Sequence, residues 1–235
     1  PGRTLVSADY SQIELRLLAH LSRDPALIDA FHQGIDIHTA VAAQVNNVKP
    51  EEVTKAQRSG AKMVNFGIVY GVTPFGLARR LGCPTAEAEQ IITGYKKRFA
   101  GITTFLQECI EHARSHGYVE TMLKRRRNLP DIDSNVQSRR AFAERNAINS
   151  VVQGSAADLI KLAMVDLHRL FTDIDAPIKG VKMILQIHDE LVFEADESSA
   201  EEARRFIVDR MERAMTLSVP LKADSSIALN WFDGK

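Results

Sequence analysis

The chain has 235 residues, 45% of them hydrophobic and 26% charged, and its 30 basic and 30 acidic side chains leave a formal net charge of zero. That is the composition of a soluble globular protein of one large or two moderate domains, and it excludes a simple polycation that coats nucleic acid. No run approaches the ~20 apolar residues that cross a bilayer and no signal peptide is visible, while Cys83 and Cys109 lack zinc-ligand spacing and suit a reducing compartment.

The stretch Leu5–Arg16, LVSADYSQIELR, opens as a buried strand and turns into a helix whose Ile13, Leu15, Leu17, Leu18 and Leu21 form an apolar face. Asp9 falls where the strand gives out, as a metal-site candidate or a helix cap. Asp24-Pro25 starts a second helix that ends near Gly34, and Asp36 caps a third through His38, Val41 and Val45. Pro50-Glu51-Glu52 opens the next segment. From Thr54 to about Tyr70 the pattern is helical, with Gly60 and Gly67 as interruptions and Gly71 with Pro74 as its close. Two longer helices are expected at about 85–99 and 101–116, then a short strand at 118–123. The basic run Lys124–Arg127 follows. Ser134 caps another helix, which resumes through Gln153 to Phe171. Val181–Ile187 and Leu191–Phe193 read as a β-hairpin around the polar tip His188-Asp189-Glu190; a helix at 197–215 and a strand at 221–231 complete the chain. A start at Pro1 without methionine, already in a strand by about Leu5, is what a fragment or processed product would show.

Three sets of residues carry chemistry. Asp9 and Asp189 stand at strand ends, and if the two strands are neighbours their carboxylates can meet. Paired carboxylates repel, and divalent cations such as Mg²⁺ relieve that repulsion. Arg58, Lys62, Phe66 and Tyr70 recur every fourth residue, so each step drifts only ~40° around a helix and the four share one slowly spiralling face. Arg offers a planar fork to phosphate oxygens and Lys a compact charge that could also protonate departing pyrophosphate. The two aromatic rings give a base or sugar a surface to pack on.

Those residues lie in motifs. SADYSQIELR (Ser7–Arg16), RSGAKMVNFGIVYG (Arg58–Gly71), ERNAINSVVQGSAADL (Glu144–Leu159) and QIHDELVFE (Gln186–Glu194) resemble, in order, segments of the family A DNA polymerases, the DNA polymerase I type. The resemblance implies an α+β fold of right-hand polymerase architecture lacking the thumb. Its antiparallel-sheet palm would comprise residues 1–20 and 145–235, with a large, mainly helical fingers subdomain inserted at 21–144. Asp9 and Asp189, with the backbone carbonyl of Tyr10, would hold two Mg²⁺ ions, for which Mn²⁺ is a substitute. Glu14 would be the steric gate against a ribose 2′-hydroxyl. His38, Arg58 and Lys62 would bind triphosphate oxygens, with Lys62 the general acid, Phe66 beside the sugar and Tyr70 guarding the template base. Arg145, Asn149, Gln153 and His188 would contact primer-template DNA, and Glu190 would lie near the metals. The basic run Lys124–Arg127 departs from the family, which has a glycine first and an aromatic near its end; it is either a solvated charge run or, the favoured reading, a contact to the DNA backbone.

The implied activity is template-directed addition of deoxynucleoside triphosphates to a primer 3′-hydroxyl with release of pyrophosphate, in DNA replication or repair. Implied partners are primer-template DNA, the nucleotides, and a thumb and exonuclease domain upstream in the intact protein. The implied location is the cytoplasm, at the nucleoid, for a bacterial or phage chain, with an organelle as the alternative. Two rival readings are a single-subunit RNA polymerase, which Glu14 opposes, and a module that holds DNA without synthesis.

Overall fold

Alternation of apolar and polar residues from Val6 to Tyr10 suits strand β1 (Arg3–Tyr10), in which Val6, Ala8 and Tyr10 point into a core and Asp9 is exposed. The computed structural model describes residues 2–46, 48–173 and 175–234. After β1 come helices α1 (Ile13–Ser22), α2 (Pro25–His32), α3 (Ile37–Asn46), α4 (Lys55–Val69), α5 (Pro74–Leu81), α6 (Thr85–Arg98) and α7 (Ala100–His116). The hairpin β2 (Tyr118–Glu120) and β3 (Arg126–Asn128) precedes α8 (Gln137–Thr172), β4 (Lys182–Ile187), β5 (Glu190–Asp196), α9 (Ala200–Glu212) and β6 (Ala223–Ala228). The chain divides into two units, Pro1–Leu17 with Gln153–Lys235, and Leu18–Val152, the divisions falling inside α1 and α8.

In the first unit an antiparallel sheet runs β4-β5-β1-β6. Val6 pairs with Phe193 and Ala8 with Leu191, and all four are fully buried. That face packs on Ala203, Ile207 and Met211 of α9, and the Tyr10 hydroxyl donates to the Met211 carbonyl at 2.7 Å. Phe171 of α8 meets the Phe193 ring edge-on at 6.0 Å. The opposite face of β1 carries Asp9, with Glu190 and Asp224 as its cross-strand partners on either side.

The second unit is helical. Asp24 is 1% exposed and accepts from the backbone N–H groups of Leu27 (2.9 Å) and Gly101 (2.8 Å), so one carboxylate caps α2 and fastens the start of α7. A β-carbon at Gly101 would lie 2.9 Å from the Asp24 Cα, which is why glycine stands there. On α4, Ala61, Val64, Asn65, Ile68 and Val69 form the buried stripe, and α3 packs beside it.

Several expectations need correction. The α4 helix is not interrupted at Gly60 or Gly67: Thr54 caps it, its ladder runs through both, and the bare Gly67 lets the Val72 side chain approach to within 3.2 Å of where a β-carbon would stand. Pro74 does not merely close α4 but opens α5 as its first residue, with Thr73 as the cap. The single strand expected at 118–123 is two short paired strands, and the basic run forms their turn and second arm, with Lys124 at φ +65°. Glu120 accepts from Arg126 at 2.9 Å and pairs with Lys124 at 3.4 Å, so part of the run is engaged within its own hairpin.

Candidate active site

The acidic candidates stand at one end of neighbouring strands of the sheet. β1 and β5 pair so that Asp9 stands opposite Glu190, and the Tyr10 N–H donates to the Asp189 carbonyl at 3.2 Å. The ends of the two strands that carry Asp9 and Asp189 are therefore hydrogen-bonded neighbours. Asp9 is exposed and Asp189 half-buried. His188, at φ +54°, makes the tight turn between β4 and β5, and its carbonyl accepts from the Gln186 amide at 2.6 Å. Glu190 is only 4% exposed, and the Trp231 indole N–H donates to its Oε1 at 3.1 Å.

The turn after Asp9 is fixed from three sides. Ser11 N–H donates to the Lys222 carbonyl at 2.8 Å, and Gln12 adopts φ +54°. The buried Arg16 guanidinium donates to the Ser11 carbonyl at 2.8 Å and the Pro220 carbonyl at 2.6 Å. Glu14 lies half-buried in the first turn of α1.

Among the described residues no group of three acidic, histidine or cysteine side chains forms a complete metal cage. An all-oxygen pair at adjacent strand ends nevertheless fits Mg²⁺, which keeps waters and takes one or two carboxylates together with substrate phosphates rather than a dedicated protein cage.

The cationic and aromatic candidates lie along α4 and its C-terminal cap, within the helical unit. Arg58 and Lys62 are exposed, and Phe66 and Tyr70, half-buried, stack with ring centres 6.2 Å apart and planes 10° apart. Phe66, Tyr70, Gly71, Arg80 and Arg145 line a cleft of about 420 Å³. The Arg145 side chain reaches this cleft from α8 across Gly71, whose φ of +79° requires glycine. His38 is 2% exposed, its ring 5.8 Å from that of Phe66, and Asn65 Nδ2 donates to its Nδ1 at 2.8 Å. Burial pushes the His38 imidazole down to about 4. Nearby Asp36 accepts Nε (3.0 Å) and a terminal nitrogen (2.6 Å) of Arg58 on Oδ2, and the Thr39 N–H (2.8 Å) on Oδ1. Burial alone would raise the Asp36 carboxyl, but the Arg58 guanidinium and the Thr39 N–H hold it below the ordinary range.

Of the remaining expected positions, Asn149 has its Oδ1 buried without a hydrogen-bond partner, while Gln153 and His188 are exposed. Four residues escaped sequence reasoning: Asp36 as partner of Arg58, Asn65 as partner of His38, Trp231 as donor to Glu190, and Asp224 opposite Asp9. Only Asn65 left a signal, a polar residue on what is otherwise the apolar stripe of α4.

The chain thus pairs a four-stranded antiparallel sheet bearing acidic strand ends with an inserted helical unit whose α4 carries Arg58, Lys62 and Phe66. The family model "DNA polymerase family A" matches residues 1–233, and the chain belongs to that family. It is 48% identical over 232 residues to DNA polymerase I of Streptococcus pneumoniae, covering 98% of this chain and 26% of that protein. It is 45% identical over 235 residues to DNA polymerase I of Geobacillus stearothermophilus, covering 100% of this chain and 26% of that protein. Among solved structures it matches the POL domain of Pol1 from M. smegmatis, in complex with DNA primer-template and dNTP. The TM-score is 0.91 and the identity 41%, covering 97% of this chain and 40% of that one. The chain thus spans 26% of the length of these curated relatives.

Proposed function

We propose that this chain performs the nucleotidyl-transfer step of template-directed DNA synthesis, joining a deoxynucleoside triphosphate to a primer 3′-hydroxyl and releasing pyrophosphate. The observation that carries the reading is the hydrogen-bonded juxtaposition of the strand ends bearing Asp9 and Asp189. The likeness to the M. smegmatis polymerase domain that holds primer-template and dNTP supports the choice of substrates.

Asp9, Asp189 and the Tyr10 carbonyl would hold Mg²⁺, as two ions. When bound, the ions lower the pKa of the attacking hydroxyl and neutralise charge on the phosphates. The Arg58 fork binds a triphosphate oxygen pair after exchanging its Asp36 partner, one carboxylate for another anion of similar geometry. Lys62, one turn on, delivers a proton to the pyrophosphate oxygen as the P–O bond breaks. Phe66 lies against the sugar, and Tyr70 closes the position of the template base. Glu14 occupies the space of a 2′-hydroxyl and so selects deoxynucleotides. Arg145, Asn149, Gln153 and His188 contact the primer-template, where minor-groove acceptors common to all base pairs allow reading without sequence preference. The units Pro1–Leu17 with Gln153–Lys235 and Leu18–Val152 act as palm and fingers.

Primer extension with Mg²⁺ tests the assignment. Asp9→Ala and Asp189→Ala should each abolish extension, and extension that survives either change refutes the carboxylate roles. Glu14→Ala should admit ribonucleotides; unchanged sugar selection removes the gate.

A further inference from the structure

We propose that Asn65 sets the tautomer of His38, so that the neutral imidazole carries its proton on Nε2 and offers a fixed N–H donor to a phosphate oxygen. The proposal rests on the reading of His38 as a triphosphate ligand and adds how it binds and which residue prepares it. Asn65 is a positioning residue in this account; it acts through His38.

Three observations lead there. First, Asn65 is 0% exposed, and its amide nitrogen lies 2.8 Å from His38 Nδ1. An N–H donor requires an acceptor, so Nδ1 is the unprotonated nitrogen and the ring proton resides on Nε2. Second, the orientation of the amide is decided by what surrounds its other end. Oδ1 of Asn65 is buried without a hydrogen-bond partner. Turning the amide over would place the NH₂ group there and leave two N–H donors orphaned, which buried sites tolerate less well than a lone carbonyl oxygen. Third, the ring is enclosed. His38 is 2% exposed, the Phe66 ring lies 5.8 Å away at 50°, and the charges that act on it are Asp36 of its own helix start and Arg58 and Lys62 of α4. Burial keeps the imidazole neutral, which leaves one N–H and makes its location consequential.

The alternative tautomer has a distinct outcome. With the proton on Nδ1, a lone pair on Nε2 would meet a phosphate oxygen and repel it, and binding would need protonation of the ring. Affinity would then fall as pH rises. With Asn65 in place the donor is present at neutral pH without proton uptake.

The direct test is ¹⁵N NMR of the whole chain labelled at histidine. Near neutral pH the two-bond and three-bond correlations of His38 should report an unprotonated Nδ1 and a protonated Nε2, and a protonated Nδ1 overturns the proposal. Adding the Mg²⁺ complex of dATP should shift the Nε2 resonance and leave Nδ1 unprotonated. Asn65→Asp replaces the donor by an acceptor; it should move the proton to Nδ1 and weaken dATP binding about tenfold or more. His38→Gln retains an N–H near the Nε2 position and His38→Asn does not. Gln should therefore bind dATP within about threefold of the parent, and Asn about tenfold or more weaker. If dATP shifts neither ring nitrogen and both histidine variants bind as the parent does, the triphosphate role of His38 fails, whatever the tautomer. If only the tautomer is reversed, the positioning role of Asn65 fails and the ligand role stands. The parent spectrum decides this even where Asn65→Asp does not fold.

Discussion

Protonation of His38 should be a principal acid-sensitive element of the helical unit. An unfolded histidine titrates near 6.5, whereas burial holds His38 near 4, so between those values the unfolded chain binds a proton that the folded chain refuses. The contribution to stability is therefore complete above about pH 6.5 and is lost as pH falls toward 4. The full linkage amounts to about 3 kcal/mol, of which about 2.5 kcal/mol is gone by about pH 4.5. Urea unfolding of the parent and of His38→Gln, at about pH 7.5 and about pH 4.5, isolates the term because the other titrating groups are common to both. The parent should lose about 2.5 kcal/mol more than the variant over that interval. Equal losses would show that the imidazole takes up its proton in the folded chain and that its burial beside Asn65 is not what sets its charge.

Asp36 combines a cap with an ion pair, and substitution can separate them. Asn keeps the cap on Thr39 and should cost about 0.5 kcal/mol, whereas Ala loses both and should cost about 1.5 kcal/mol in urea unfolding; equal losses would mean that the cap contributes nothing. The same Asp36→Asn change should strengthen dATP binding by about twofold, since Arg58 no longer has a competing carboxylate, and weaker binding would make Asp36 a support of Arg58 rather than a competitor. Gly101→Ala places a methyl 2.9 Å from the Asp24 Cα and should lower stability by about 2–3 kcal/mol, and a thermal midpoint equal to that of the parent would refute the close packing of α7 on the α2 cap.

What could be read from the residues alone were the features with local causes. Asp24-Pro25 and Asp36 mark helix starts because a short polar side chain accepts the free N–H groups of a first turn, and the structure has both helices begin there. The fourfold spacing of Arg58, Lys62, Phe66 and Tyr70 assigned them to one face because helix geometry follows from sequence separation, and the buried stripe of α4 runs through the residues between them. The strand character of β1 and the β4–β5 hairpin were visible for the same reason. Long-range neighbours have no such signature. Nothing in the separation of residues 9 and 189 dictates that β5 lies next to β1; the strand order does, and with it the placing of Glu190 and Asp224 on either side of Asp9. Gly67 sits inside an unbroken α4, with the Val72 side chain packed against its bare face. The pairs Asn65–His38 and Trp231–Glu190 likewise join residues remote in the chain, because burial in a folded interior obliges polar groups to find partners wherever packing brings them, and the exposed Asp36–Arg58 ion pair too is set by how α3 packs on α4.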